Sequence, residues 1–138
     1  MMNRSLQMNS SAYWRFTQIV VGLAGAAYLL IGIALLFAPG WFFSAIGNFQ
    51  PFNRHYEGDL GSFLLPLGIG LLVAARDPAR YIWVIRVAAL GSLLHVGNHV
   101  YDALFVSAQP GALAQIVLLL FLALLLMIVS IRVPERNK

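Results

Sequence analysis

Four long apolar runs separated by short polar segments dominate the chain. At about 1.5 Å per residue, a helix of ~20 residues covers the ~30 Å hydrocarbon core of a bilayer. The first and last runs contain no charged residue, whereas the two between them carry Pro66 or several polar side chains. The runs extend from Ile19 to Ala38, from Leu60 to Ala75, from Tyr81 to Phe105 and from Ala112 to Ile131. This pattern predicts four transmembrane helices.

We therefore expect an all-α fold, a four-transmembrane-helix bundle forming a single membrane domain over residues 1–138. The expected spans cover about residues 18–38, 59–75, 79–105 and 111–132. Asp77 and Pro78 are typical of an N-cap followed by proline at the first helical position, which would start the third helix. The aromatic segment from Trp41 to Phe52 is too short to span, so we expect it to lie along the membrane interface after the first helix.

Composition agrees with a membrane chain, since 60% of the residues are hydrophobic and 10% are charged. Soluble domains contain nearer ~25% charged residues. This difference excludes a soluble globular enzyme, a disordered chain and a nucleic-acid-binding protein. The chain has no cysteine, which excludes disulfides, thiolate metal sites and thiol catalysis.

The basic residues are distributed unevenly between the two sides of the expected bundle. The side that holds both termini and the 76–80 loop has eight Lys and Arg residues, and the other side has only Arg54. Because positively charged segments stay in the cytoplasm, we expect an N-in/C-in topology in the inner (cytoplasmic) membrane. Arg86 lies near the basic side, where it would act as an anchor. Membrane topology then explains the excess of basic over acidic residues, so this excess does not indicate a nucleic-acid partner.

Polar side chains gather on one face of the third expected span. At about 100° per residue, Ser92, His95, Asn98, His99 and Asp102 lie within an arc of about 120°. An Asp near a membrane-helix centre costs about 2.5–3.5 kcal/mol, so this face should point to the bundle or to a water-filled cavity. We call His95, Asn98, His99 and Asp102 the polar stripe. If the helix ends near Phe105, His95 lies roughly 15 Å deep.

The second expected span starts at the same end of the bundle with Arg54-His55-Tyr56-Glu57-Gly58-Asp59. Antiparallel neighbours joined by the short 76–80 loop would place this segment beside the end of the third span. We therefore predict a ligand-binding mouth that combines His55, Glu57 and Asp59 with the polar stripe. All three histidines of the chain belong to this set.

Three chemistries suit such a mouth. His95 and His99 have the i, i+4 spacing of helical metal sites, and Asp102 or another carboxylate would complete a two-His, one-carboxylate site for zinc or non-haem iron. A haem iron would be clamped between His55 and a stripe histidine. A quinone or lipid head group would accept hydrogen bonds from histidine, asparagine and tyrosine. Haem, a metal ion and a quinone therefore all stay open as cofactors.

Structural roles compete with these chemistries. Asp59 is a good N-cap for the second helix, and His99 with Asp102 can form a pair that satisfies itself. The asparagine of the stripe can hydrogen-bond across helices. His95 can donate to a backbone carbonyl that Pro66 leaves free.

Glycines repeat along one face of each of the first two spans. Such small residues allow helices to approach closely, and we expect packing rather than a nucleotide site, since no GxGxxG motif occurs. On the first span this face also carries Gln18 and Tyr28. The glycines are Gly22, Gly25 and Gly32 in the first span and Gly58, Gly61 and Gly68 in the second.

The chain resembles the small four-helix bacterial membrane proteins of the DoxX-like kind. The resemblance covers roughly residues 15–132 and rests on the glycines of the first span, Gly58-Asp59-Leu60-Gly61 and Leu67-Gly68-Ile69-Gly70-Leu71. It implies a four-helix bundle and an accessory role beside quinone-linked redox enzymes. The polar stripe is not part of the resemblance.

We therefore expect a non-catalytic integral membrane protein that binds a lipid or quinone-like ligand, or an accessory subunit of a membrane redox complex. Its partners would be the lipid bilayer and either other membrane subunits or further copies of itself. The alternative is a metal- or haem-binding redox protein or enzyme that uses the histidines and carboxylates of the mouth.

Overall fold

A computed structural model describes residues 4–47, 49–107 and 111–133, with side chains from Ser11 onward. Every regular element in these ranges is helical, which confirms the all-α class. The helices are α1 (Arg4–Phe37), α2 (Pro39–Phe42), α3 (Arg54–Ala74), α4 (Ile82–Tyr101) and α5 (Ala112–Arg132). A π-helical turn follows α2 at Phe43–Gly47, and another follows α4 at Asp102–Val106.

Three helices are long and apolar enough to cross a membrane. They are Ser11–Phe37 within α1, α3 and α5. The protein is therefore a candidate for membrane insertion on length and composition. Helix α4 has 20 residues, enough to cover about 30 Å, but its polar side chains lower its hydropathy.

Helix α3 begins at Arg54, five residues before the predicted start. The side-chain oxygen of Asn53 accepts hydrogen bonds from the backbone N–H groups of His55 (3.0 Å) and Tyr56 (3.2 Å). Asn53 is thus the N-cap of α3, and the prediction that Asp59 caps this helix is wrong. An Asx cap satisfies amide groups that the helix itself leaves free, so the helix starts where the cap stands.

Helix α4 begins at Ile82, later than the predicted start at 79. Asp77 does cap a backbone amide, but it is the N–H of Arg80, at 3.3 Å, within a turn. Pro78 is fully buried and anchors this connector between α3 and α4. The Asp-Pro pair therefore opens a tight turn instead of the helix itself.

Helices α1 and α3 pack closely and antiparallel through a glycine seam. A Cβ on Gly32 would lie 2.7 Å from the backbone N of Leu65, and one on Gly25 would lie 2.8 Å from the backbone N of Leu72. No side chain fits at such distances, so the backbones touch, as predicted for these faces. The glycine seam consists of Gly25, Gly32, Gly61 and Gly68.

The buried core lies toward one end of the bundle, where the α3–α4 connector and the end of α5 meet. We call this the basic end, because Arg15, Arg76, Arg80, Arg86 and Arg132 belong to it. The opposite end, with the starts of α3 and α5 and the end of α4, is the histidine end. The core comprises Val21, Leu71, Ala74, Ile82, Ile85, Ala88, Ala89, Leu126, Val129 and Val133.

The histidine half of α4 and α5 is much less buried than the basic half. From Leu90 to Tyr101 only Val96 is buried, and no residue of α5 before Ala123 is buried. Cβ atoms built on Gly91 and Gly97 would meet no atom within 4 Å. The α1–α3 pair, in contrast, stays in contact along its length. Much of the surface of α4 and α5 in this half is therefore left uncovered by the rest of the chain.

Candidate functional site

A hydrogen bond between hydroxyl groups joins α1 to α4 at the base of the open half. The Tyr28 and Ser92 hydroxyl oxygens are 2.5 Å apart. The Ser92 hydroxyl also lies 2.7 Å from the Ala88 carbonyl oxygen and donates to it, so the Tyr28 hydroxyl donates to Ser92. This bond shows that the Ser92 face of α4 points toward α1. It confirms neither a cavity nor a ligand, but it fixes the direction of the polar stripe.

His95 and His99 lie on the same side of α4 as Ser92, three and seven residues further along. Their rings contact edge to face, with centroids 4.6 Å apart and planes at 90°. His95 is exposed and His99 is half-buried. Two imidazoles thus stand together at the start of the open half, as the i, i+4 spacing predicts. Neither forms a hydrogen bond to another described residue.

The outer part of the polar stripe forms its own pair. The Asn98 side-chain amide donates to the Asp102 carboxylate at 3.1 Å. The expected pairing of His99 with Asp102 is therefore not the one that forms, since the ring of His99 contacts that of His95 edge to face. Asp102 begins the π-helical turn, and its carbonyl accepts the Ser107 N–H at 2.9 Å. The helical path thus continues beyond α4 to Val106.

The Arg54–Asp59 segment, predicted as the other half of the mouth, lies at the histidine end as expected. His55 and Asp59 form an exposed pair at 3.4 Å, with side chains 87% and 62% exposed. Among the described residues, no hydrogen bond or ion pair joins this segment to the polar stripe. The fold brings the two groups to one end but leaves them as separate clusters.

Glu57 is the buried charged residue of that segment, with 9% of its surface exposed. It lies in the first turn of α3, where the amide groups of the helix favour a negative charge. No described residue donates a hydrogen bond to its carboxylate. Glu57 therefore has a local structural reason to be there, and its contact with a ligand stays a prediction.

The proposed metal ligands do not form a compact set. Within the described residues, no group of three or more His, Asp or Glu side chains is placed to hold a metal ion. His95 and His99 are adjacent, but Asp102 is engaged by Asn98. A metal site on His95, His99 and Asp102 would require the carboxylate of Asp102 to move toward the two imidazoles.

One feature of the site was not foreseen from the sequence. The Tyr28–Ser92 bond joins residues 64 positions apart, which no local pattern reveals. Outside the site, near the basic end, the buried hydroxyls of Tyr13 and Thr17 have no hydrogen-bond partner among the described residues.

Comparison of the chain with protein-family models, with curated proteins and with solved structures finds no match. What the protein does is therefore inferred from its own residues.

Proposed function

We propose that this protein is a four-span integral membrane protein that binds the polar head of a quinone-like or lipid-like molecule at the polar stripe. The observation that carries the proposal is the pair of histidines in edge-to-face contact on α4, with His95 exposed in the sparsely packed half of the bundle. The proposal includes an accessory, non-catalytic role in a membrane complex, which the resemblance to DoxX-like proteins suggests.

The positions of its neighbours support α4 as the fourth span. Helix α3 ends at the connector of the basic end. The start of α5 lies at the other end, where the Gln115 side chain donates to the carbonyl oxygen of Ile46, just beyond α2, at 3.0 Å. Helix α4 links these two points through short connections. If α3 and α5 both cross the membrane, α4 has to cross it too.

The distribution of charge supports the orientation. Arg54 is the single basic residue assigned to the histidine end, and all other Lys and Arg residues belong to the opposite side. The positive-inside rule then puts both termini in the cytoplasm and the histidine end outside it. In a bacterial cell this is the inner membrane, and the polar stripe opens toward the extracytoplasmic leaflet.

The physical argument for a ligand is the free energy that it costs to leave polar side chains of the stripe without partners inside a membrane. Polar side chains at membrane depth usually face a cavity, another polar group or a substrate. His95 and His99 have no hydrogen-bond partner among the described residues, and Gly91, one turn before His95, leaves open space on the same side of α4. A carbonyl or phosphate oxygen would accept hydrogen bonds from these imidazoles and from Asn98.

The test starts from the protein purified in mild detergent. We expect solvent extracts, analysed by mass spectrometry, to contain a quinone or a defined lipid in stoichiometric amount. His99→Leu should remove it, because the leucine cannot donate a hydrogen bond, while insertion and thermal stability are retained. His55→Leu is the matched control, since His55 pairs with Asp59 outside the stripe, and it should retain the ligand.

Other outcomes would contradict the proposal. A haem band in the visible spectrum, or stoichiometric zinc or iron, would favour the redox alternative. If His99→Leu lowers stability while no bound molecule is found in either protein, the stripe serves packing alone.

A further inference from the structure

The connector between α3 and α4 holds two exposed arginines in a fixed geometry. The Arg76 N–H donates to the Val73 carbonyl at 3.1 Å, and the Arg80 N–H lies 3.2 Å from the Asp77 carbonyl. The Asp77 carboxylate accepts from the same Arg80 N–H, and Pro78 is fully buried. The backbone that carries both guanidinium groups is therefore ordered by its own hydrogen bonds.

Helix α1 adds a third arginine at the same corner. The Gln18 side chain donates to the Arg76 carbonyl oxygen at 3.2 Å, and a Cβ on Gly22 would lie 3.7 Å from the Cβ of Ala75. Arg15 lies seven residues before Gly22 and thus on the same face of α1. Arg15 is also about one turn beyond Gln18, whose side chain contacts the connector. In the antiparallel register this places Arg15 at the level of the connector.

The side chains of these three arginines form no ion pair within the part of the chain that the structure describes. The guanidinium of Arg80 lies over the ring of Tyr81, 5.4 Å from its centroid, which positions the charge beside an aromatic group suited to the membrane interface. Guanidinium groups bind phosphate oxygens in a planar, bidentate manner.

An exposed apolar surface continues from this corner toward the middle of the bundle. On α1, Ile19 and Leu23 follow Arg15 by one and two turns and are 60% and 68% exposed. On α3, Val73 and Ile69 precede Arg76 on a similar face and are also exposed. Charge at the rim and apolar surface below it match the two parts of a phospholipid.

We propose that Arg15, Arg76 and Arg80 bind the phosphate of an anionic phospholipid, whose acyl chains lie along α1 and α3. The site is at the basic end, away from the polar stripe, and does not depend on the function proposed for the stripe. Its ligand is a lipid of the leaflet that the basic end contacts. The headgroup would meet one arginine from α1 and two from the connector that follows α3.

The experiment measures lipid binding to the purified full chain by native mass spectrometry. The probes are phosphatidylglycerol and phosphatidylcholine with identical acyl chains. Wild-type protein should bind phosphatidylglycerol more tightly than phosphatidylcholine. The double variant Arg76→Gln/Arg80→Gln should bind it about ten- to thirtyfold more weakly, since each basic group near a membrane surface contributes about fivefold. Arg76→Lys/Arg80→Lys should recover most of the preference because it keeps the charges.

Two single variants test whether the site is local. Arg132→Gln removes a charge from the same end, and Arg54→Gln removes one from the histidine end. Both should leave the preference nearly unchanged. A loss in either as large as in the double variant would overturn the proposal in favour of diffuse attraction. Equal binding of both lipids by wild-type protein, or displacement of the lipid by millimolar inorganic phosphate, would also overturn it.

Discussion

Thr17 is a fully buried residue of α1 whose hydroxyl has no hydrogen-bond partner in the described structure. A buried polar group without a partner costs about 1–3 kcal/mol, whereas an apolar group of the same shape avoids that cost. Valine has nearly the shape of threonine. Thr17→Val should therefore raise the free energy of unfolding by about 1 kcal/mol, seen as a higher midpoint of thermal denaturation in detergent.

Ser130 provides the comparison, since it is buried as well but donates to the Met127 carbonyl at 2.8 Å. Ser130→Ala should bring no such gain. If Thr17→Val instead destabilises the protein, the Thr17 hydroxyl is bound to a partner such as an ordered water molecule.

At the level of single residues, the sequence predicted which side chains share a face of α4 better than it predicted the contacts among them. Helical spacing alone places His95 beside His99, because both belong to one helix. It could not reveal that Asn98 would take the Asp102 carboxylate, since several partners were within one turn. Tyr28 and Ser92 meet only because α1 and α4 cross there, and that depends on the packing of the whole bundle.

Among the elements, the α1–α3 pair offers the sharpest test of packing. A Cβ on Gly68 would overlap with the backbone N of Leu29, so Gly68→Ala has to push the two helices apart. Although alanine is the better helix former, we expect Gly68→Ala to lower the free energy of unfolding by about 1–3 kcal/mol, the usual cost of overpacking. Denaturation followed by circular dichroism in detergent would measure it.

Gly91→Ala is the matched control on α4, because a Cβ there would meet nothing within 4 Å. It should be neutral or stabilise the helix by up to ~1 kcal/mol. Equal destabilisation by both substitutions would show that the glycine seam is not what holds α1 against α3.

Hydropathy predicted the long helices, and the spacing of small residues predicted that their glycines allow α1 and α3 to pack closely. Helix starts were less predictable. Both Asn53 and Asp59 are suitable N-cap residues for α3, and the structure uses Asn53. The first turn after Asn53 is charged and polar, so hydropathy did not assign it to the span. Asp77 and Pro78 fit a helix start and a tight turn equally well, and burial of the proline decided for the turn.

For the molecule as a whole, the main prediction is topology. With four spans and the basic end in the cytoplasm, a reporter that functions only in the cytoplasm should be active when fused to Lys138. A reporter that functions only outside the cytoplasm should be silent there. The opposite pattern would exclude either the fourth span or the orientation, and a fusion in the 76–80 connector would tell which.

The glycine seam also bears on the order of assembly. Spans leave the ribosome in sequence, and α1 and α3 meet through their own backbones along their length. This hairpin can therefore be complete before α4 has been synthesised. Helices α4 and α5 follow, and their halves at the basic end join the buried core. Their halves at the histidine end stay largely uncovered, so the open part of the protein lies within the two helices that are synthesised after this hairpin.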